Sequence, residues 1–125
     1  MSTTVLRGGD KKKEAEKILK TRPLLVLFFM DGCPACMANK PSWEDAKKKA
    51  GVRTVEIESS AVPDSEGITG FPTMKMITKS GNARETTGTK ESGDDILKEL
   101  GVPKKGGTRR KTRTRRRTIR SYLKF

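Results

Sequence analysis

Residues 24–36 read LLVLFFMDGCPAC, an apolar run that leads within a few residues to two cysteines. Every residue from 24 to 30 is apolar, which is typical of a central strand covered on both faces. Pro34 suits the first turn of a helix, where a missing backbone N–H leaves no hydrogen bond unmade. The pattern therefore predicts that Cys33 and Cys36 lie between the end of a buried strand and the start of a helix.

The flanking sequence predicts the remaining elements of one α/β domain. Strands are predicted at residues 3–6, 24–30, 52–58, 73–78 and 83–87, the last of them polar and near a sheet edge. Helices are predicted at residues 10–21, 34–50 and 94–100, with Asp10 as the N-cap of the first. In the long central helix, Pro41 is expected to introduce a kink, and Met37, Trp43 and Ala46 are placed on the inner face.

The charge is divided unevenly along the chain. The 125 residues carry 28 Lys and Arg against 15 Asp and Glu, and residues 104–125 hold 11 of these cations and no acid. The first 103 residues therefore carry 17 cations and 15 acids, which is nearly neutral. We expect a folded domain at 1–103 and a flexible, disordered basic tail at 104–125.

Residues 1–10 have no apolar core of a signal peptide, and no apolar stretch of the chain approaches the length of a membrane span. The expected protein is therefore an intracellular, cytoplasmic monomer, in a compartment whose reducing environment makes structural disulfides rare. Two cysteines separated by two residues then indicate a redox or metal site.

Cys33 and Cys36 are suited to thiol–disulfide exchange. The nucleophile in that reaction is a thiolate, and the free N–H groups at a helix N-terminus stabilise negative charge. Cys33, at the start of the helix, is the expected exposed attacker, and Cys36, one turn further, is the expected buried resolving thiol. Their redox-active disulfide is the only cofactor that we expect.

There are two other interpretations of the cysteine pair. The two side chains can be a buried structural pair. They can also supply half of a zinc site, but zinc takes three or four protein ligands, and the chain has no His and no further Cys. A metal site would therefore need ligands from a second subunit, and we predict no metal site.

Residues 1–103 resemble the thioredoxin superfamily. Cys33-Pro34-Ala35-Cys36 matches its C-x-x-C motif, Pro41 stands where the family carries a proline in the helix, and Phe71-Pro72-Thr73 is similar to its cis-proline loop. The resemblance implies an α/β fold with a central mixed sheet flanked by helices, and the activity of a protein disulfide oxidoreductase. It also implies a cis Phe71–Pro72 bond that faces the dithiol. Protein disulfide substrates are then expected to contact Gly32, Pro34, Phe71 and Pro72.

Three features depart from the usual pattern of that superfamily. Gly32 stands where a tryptophan usually precedes the dithiol, and Leu27 replaces an acid that usually lies six residues before the first cysteine. Pro34 is closer to glutaredoxins, but residues 88–95 have no clear glutathione-binding pattern. In the superfamily, the acid at the position of Leu27 helps to move the proton of the resolving cysteine. Its replacement by leucine therefore predicts slower or differently poised disulfide exchange.

The basic tail predicts binding to a polyanion, most directly to nucleic acid through its phosphates. A solubilising tail without a ligand is the alternative. The tail resembles those of small proteins from large nucleocytoplasmic DNA viruses, which implies a viral protein packaged in the virion. Two other functions fit the chain: a structural virion protein that uses the fold as a binding module, and a nucleic-acid-associated redox sensor. The candidate phosphate contacts are Arg109, Arg110, Lys111, Arg113, Arg115, Arg116 and Arg117.

Overall fold

Strands and helices alternate along most of the chain in the computed structural model, which describes residues 3–104. The strands are β1 (Thr4–Leu6), β2 (Leu24–Phe29), β3 (Arg53–Glu58), β4 (Thr73–Ile77) and β5 (Ala83–Thr87). The α-helices are α1 (Lys12–Ile18), α2 (Pro34–Lys49) and α3 (Gly93–Leu100), and short 3-10 turns occur at Gly9–Lys11, Ser59–Ala61 and Asp64–Glu66. The predicted order of the elements is confirmed.

The sheet is mixed, as the resemblance implied. Its strands lie in the order β1-β3-β2-β4-β5, with β3 parallel to β1 and β2, and β4 antiparallel to β2 and β5. β2 is therefore paired on both sides from Leu24 to Phe28. β5 lies at an edge, where its polar side chains are solvated, as predicted.

Apolar side chains cover both faces of β2. Leu25 and Leu27 belong to the cluster that contains Trp43 of α2 and several residues of α3. The even-numbered residues from 24 to 28 belong to the opposite cluster, which contains Ala15 of α1. Because side chains alternate along a strand, a continuous apolar run fills both faces at once.

The first helix is shorter than predicted. Gly9–Lys11 form a 3-10 turn and α1 begins at Lys12, so Asp10 is not its N-cap, and no side chain caps either segment. α1 ends at Ile18, several residues ahead of a cis Arg22–Pro23 bond that was not predicted. The residue before a proline disfavours the helical conformation, so the chain has to leave the helix before it enters β2.

α2 begins at the predicted residue, ends one residue earlier than predicted and contains Pro41. Trp43 and Ala46 are buried as predicted, but Met37 is 69% exposed, so its placement on the inner face was wrong. A helix turns by about 100° per residue, so Met37 lies roughly 200° around the axis from Asn39. Asn39 is buried, which leaves Met37 on the solvent side.

The last described residues lie against the C-terminal end of α2. Ala50 forms an isolated antiparallel bridge with Lys104, and the N–H of Gly51 donates to the carbonyl oxygen of Pro103 at 2.6 Å. The ammonium group of Lys104 also pairs with Asp94 in α3 at 3.3 Å. Lys104 is therefore held by contacts with the folded domain.

α2 and α3 approach closely at Gly93, the first residue of α3. A Cβ atom at this position would lie 2.6 Å from the backbone nitrogen of Ala46 and would also meet the side chain of Asp45. The hydroxyl of Ser92 caps the helix, because it accepts a hydrogen bond from the N–H of Asp95 at 3.1 Å. This packing fixes α3 against the helix that carries the two cysteines.

We predict that Gly93→Ala lowers the free energy of unfolding by about 1–3 kcal/mol. Alanine is the better helix former by about 1 kcal/mol, but the added methyl group meets backbone that cannot move aside. Urea unfolding followed by circular dichroism measures the effect. Gly9→Ala is the matched control, because a Cβ at Gly9 would meet nothing closer than the carbonyl oxygen of Ser60 at 3.9 Å. Equal stability of the two variants would contradict the close approach.

Candidate active site

Cys33 lies at the N-cap of α2, just after the chain leaves β2. Its Sγ accepts a hydrogen bond from the N–H of Cys36 at 3.2 Å, and Pro34 occupies the first turn of the helix. Gly32 has a φ of 79°, a backbone conformation that favours glycine. Both cysteines are free thiols. The predicted junction of strand, dithiol and helix is confirmed.

The loop before β4 forms the second part of the site. Its Phe71–Pro72 bond is cis, and the Sγ of Cys33 lies 3.9 Å from the carbonyl oxygen of Phe71. The hydroxyl of Thr73 donates to the carbonyl oxygen of Gly70 at 2.7 Å, which ties the loop to itself. The predicted cis bond beside the dithiol is confirmed.

The two cysteines differ in exposure, but in the opposite sense to the prediction. Cys33 is only 7% exposed, whereas Cys36 is half-buried. Cys33 lies against the carbonyl group of Phe71, which reaches it from a distant part of the sequence. The expectation of an exposed attacker and a buried resolving thiol is therefore wrong as a statement of residue exposure, although burial is the main influence on the pKa of Cys36 and only a minor one on that of Cys33.

The pKa values of the two thiols move in opposite directions. Hydrogen bonds from Cys36, first from its side chain and then from its backbone, lower the pKa of Cys33 below that of an ordinary thiol. Burial raises the pKa of Cys36 to about 11, and its hydrogen bond with Cys33 acts in the same direction. Cys33 is therefore the thiol that ionises first.

Glu58, the last residue of β3, holds the turn that precedes the dithiol. Its carboxylate accepts hydrogen bonds from the hydroxyl of Ser60, from the N–H of Ser60 at 2.9 Å and from the hydroxyl of Ser59 at 2.8 Å. It also accepts from the N–H of Asp31 at 3.4 Å. The Ser60 hydroxyl is the largest cause of a pKa for Glu58 of about 2. The Ser60 hydroxyl also accepts a hydrogen bond from the N–H of Gly8 at 2.8 Å. Glu58 and Ser60 together therefore link the ends of the parallel strands β1, β2 and β3.

A cavity of about 180 Å³ lies beside the dithiol. Cys36 and Pro72 line it, together with Leu27 of β2 and Glu56 of β3. Leu27 and Glu56 are direct partners in the register of the two strands, so their side chains lie on the same face of the sheet. Glu56 therefore places a carboxylate beside this cavity, although its partner on β2, Leu27, is apolar.

Arg7, just after β1, also lines this cavity. Its guanidinium group donates two hydrogen bonds to Asp31, at 3.1 and 3.3 Å, and lies 5.1 Å from the centroid of the Phe29 ring. The hydrogen bond with Asp31 raises the pKa of Arg7. Both side chains are more than half exposed, so the pair adds little stability, but it places a cation next to the dithiol turn.

The first half of α2 is anchored to the segment between β5 and α3. Asn39, which is buried, accepts a hydrogen bond from the N–H of Lys90 at 2.9 Å, and Ser42 donates to the carbonyl oxygen of Lys90 at 2.8 Å. The hydroxyl of Thr89 donates to the carbonyl oxygen of Ala35 at 3.0 Å. These contacts fix the helical turns that carry the dithiol.

The sequence did not identify Arg7, Asn39, Glu56 or Glu58 as site residues, because each reaches the site through pairing of distant segments. Glu58 alone had a local signal: two serines follow it at the end of a strand, and their hydroxyl and N–H groups can turn back to a carboxylate. The predicted phosphate contacts between residues 109 and 117 lie outside the described residues.

No three Cys, Asp or Glu side chains in residues 3–104 come together in a group that could hold a metal ion. The helices of this same segment are all too short or too polar to cross a membrane.

We predict that Glu58→Gln destabilises the protein most at neutral pH. The folded-state pKa of Glu58 is about 2, below its ordinary value of 4.5, so its carboxylate stabilises the fold above pH 4.5. This stabilisation is lost as the pH falls from 4.5 towards 2, so the two proteins should converge in stability there. At pH 7 we expect a loss of roughly 1–3 kcal/mol in urea unfolding. Glu85→Gln, at an exposed position on β5, is the control and should change stability little at any pH. A constant difference between pH 7 and pH 2 would contradict the role of the carboxylate.

Comparison with known proteins supports the same fold. Bloodstream-specific protein 2 of Trypanosoma brucei brucei is 29% identical over 95 residues, which are 72% of this chain and 19% of that protein, so the chain spans about a fifth of its length. A chloroplastic thioredoxin z has 23% identity and a TM-score of 0.58 over 81% of this chain and 93% of its own. The reduced thioredoxin pre-protein of Schistosoma mansoni has 19% identity and a TM-score of 0.60 over 80% of this chain and 99% of its own. A family model named Thioredoxin matches residues 9–100, and the chain therefore belongs to the thioredoxin family.

Proposed function

We propose that this protein is a thiol–disulfide oxidoreductase that acts on protein disulfides through Cys33 and Cys36. The observation that carries the proposal is the position of Cys33 at the N-terminus of α2, where the N–H of Cys36 donates to its Sγ. A thiol held in this way forms a thiolate more readily, and the thiolate is the nucleophile in disulfide exchange.

The reaction proceeds in two exchanges. The Cys33 thiolate attacks one sulfur of the substrate disulfide, so a mixed disulfide forms and the other substrate sulfur leaves as a thiolate. The Cys36 thiolate then attacks Cys33 and releases the second substrate sulfur. The protein ends with a Cys33–Cys36 disulfide and the substrate with two thiols, so two electrons pass from protein to substrate. An external dithiol restores the starting state.

The substrate segment lies along the Phe71–Pro72 loop, beside Cys33. Gly32 and Pro34, which flank Cys33 in the sequence, are exposed, and no side chain at Gly32 obstructs the approach. Met30 is 42% exposed and Met37 is 69% exposed, so methionines supply the apolar surface near the dithiol. Flexible thioether side chains adapt to different apolar partners, which suits varied protein substrates.

We predict that the purified protein catalyses the reduction of insulin by dithiothreitol. Cys33→Ser should abolish this activity, because no thiolate is left to attack the disulfide. Cys36→Ser should also abolish turnover, but it should leave a Cys33 mixed disulfide that persists on non-reducing gels. The precipitation of reduced insulin measures the rate.

Glu85→Gln is the control variant for this assay, because Glu85 is exposed on the edge strand β5 and lines no part of the cavity beside the dithiol. It should keep the Cys33 reaction with Ellman's reagent at the wild-type rate. Wild-type protein that does not accelerate insulin reduction would contradict the enzymatic proposal. It would instead favour a structural or packaged protein that uses the fold as a binding module.

A second function is favoured by the charge of residues 104–125. Their 11 cations and absence of acids support binding to nucleic acid or another polyanion, with Arg109, Arg110, Lys111, Arg113, Arg115, Arg116 and Arg117 as phosphate contacts. Such binding would keep a dithiol enzyme beside a nucleic acid in the cytoplasm or in a virion. If the affinity depends on the redox state of the dithiol, the protein is a redox sensor.

We predict that the full chain binds duplex DNA with little sequence preference. Each phosphate that the protein neutralises contributes about −0.9 to the slope of log affinity against log salt concentration. If half of the cations engage, the affinity should fall by orders of magnitude between low and moderate salt. Fluorescence anisotropy with two unrelated duplexes at several salt concentrations measures both properties.

A chain that ends at Lys104 is the control for DNA binding. It keeps the bridge with Ala50 and should lose the DNA affinity while it retains insulin reduction. DNA binding that survives this truncation, or that is insensitive to salt, would contradict the assignment to the tail.

A further inference from the structure

We infer that Glu56 is the proton acceptor for Cys36 in the second exchange, with water in the shared cavity as the bridge. The inference deepens the proposed function and rests on it. It assigns a role to a carboxylate on β3, one strand away from the position where Leu27 stands.

The contacts of Glu56 leave half of its carboxylate available. The indole N–H of Trp43 donates to Oε2 at 3.0 Å, and the ammonium group of Lys47 lies 2.6 Å from the same oxygen. Among residues 3–104, no hydrogen bond reaches Oε1. The side chain is only 15% exposed, so Trp43 and Lys47 hold one oxygen while the other is free to accept a proton.

The cavity connects this carboxylate with the thiol. Glu56 and Cys36 both line it, and its volume of about 180 Å³ is more than enough for water molecules. Water in such a site needs polar partners, and the carboxylate, the thiol and the guanidinium group of Arg7 supply them. Leu27 and Phe29 form an apolar part of the wall.

The chemistry of the second exchange requires such an acceptor. The thiol of Cys36 has a pKa of about 11, so little thiolate is present at neutral pH. The proton passes from the Cys36 Sγ to the Glu56 carboxylate through the bridging water as Cys36 attacks Cys33. The bond between Cys33 and the substrate sulfur breaks, the released thiolate takes up a proton, and Glu56 returns its proton to solvent.

Other charged groups also border Glu56 and have to be separated from it in a test. Lys47 lies between Glu56 and Glu44, at 3.1 Å from the Glu44 carboxylate, which is 45% exposed. The remaining charged groups that line the cavity are Arg7, Asp31 and Lys40. Glu44→Gln therefore removes one negative charge that pairs with Lys47, as Glu56→Gln does, but it leaves in place the Glu56 carboxylate that Trp43 holds.

Ellman's reagent separates the two exchanges in the reduced protein. Cys33 releases the first equivalent of thionitrobenzoate and forms a mixed disulfide, and the attack of Cys36 releases the second equivalent. In Glu56→Gln we expect the second release to slow by about 100-fold or more at pH 7, because general-base assistance is lost. The difference in this rate between Glu56→Gln and the wild type should shrink as the pH rises, because hydroxide then takes the proton of Cys36 instead of the carboxylate. The first release should stay near the wild-type rate, which also reports that the variant is folded.

The sign of the change distinguishes proton transfer from simple repulsion. If Glu56 acted only as a nearby negative charge, its removal would favour the Cys36 thiolate and accelerate the second release. Glu44→Gln should leave the second release unchanged. Trp43→Phe, which removes the N–H donor that positions Glu56, should slow the second release several-fold and gives a second variant if Glu56→Gln does not fold.

Two results would overturn the inference. A second release at the wild-type rate or faster in Glu56→Gln or, if that variant does not fold, in Trp43→Phe, excludes Glu56 as the acceptor while the proposed function stands. A wild-type protein that releases only the first equivalent has no resolving thiol, and both the proposed function and this inference then fail.

Discussion

β2 is covered on both faces and paired along both of its edges, and this burial fixes the position of the dithiol. The residues from 24 to 28 are buried, and each apolar side chain of this size contributes about 1.5–3 kcal/mol when it leaves water. A shift of this strand along its neighbours would have to break its pairing with β3 and with β4 at the same time. The turn that follows it, and with it Cys33, is therefore held in one place.

The carboxyl ends of β1, β3 and β2 lie together at one end of the sheet, beside the dithiol. Polar groups that follow all three strands contact each other there. Glu58 orders the backbone of the turn, whereas the Cys36 N–H acts directly on the Cys33 Sγ. Hydrogen bonds from Cys36 to Cys33, together with the burial of Cys36, separate two identical thiols into one that ionises readily and one that holds its proton. The difference arises from position along a single helical turn: Cys33 is at the open N-terminus, and Cys36 is inside the helix, where burial dominates its pKa.

The sequence predicted the parts of the structure that depend on local pattern. The apolar run of β2, the helix that starts at Pro34 and the polar edge strand β5 are each visible in a few consecutive residues. The exposure of Cys33 and Cys36 could not be predicted, because it depends on a loop near residue 71. The role of Glu58 and the position of Glu56 were missed for a similar reason. Alternation along β3 predicts that these two residues share a face, but only the tertiary packing shows that α2 and the dithiol turn cover that face.

The bridge between Ala50 and Lys104 decides where the polypeptide leaves the domain. The dithiol is at one end of α2 and this bridge is at the other, so a helix of 16 residues, roughly 24 Å long at 1.5 Å per residue, separates them. Lys104, the last described residue, therefore lies about one helix length from the reacting sulfurs. Contacts made at the C-terminal end of α2 would therefore leave the space around the dithiol open to a bulky protein substrate.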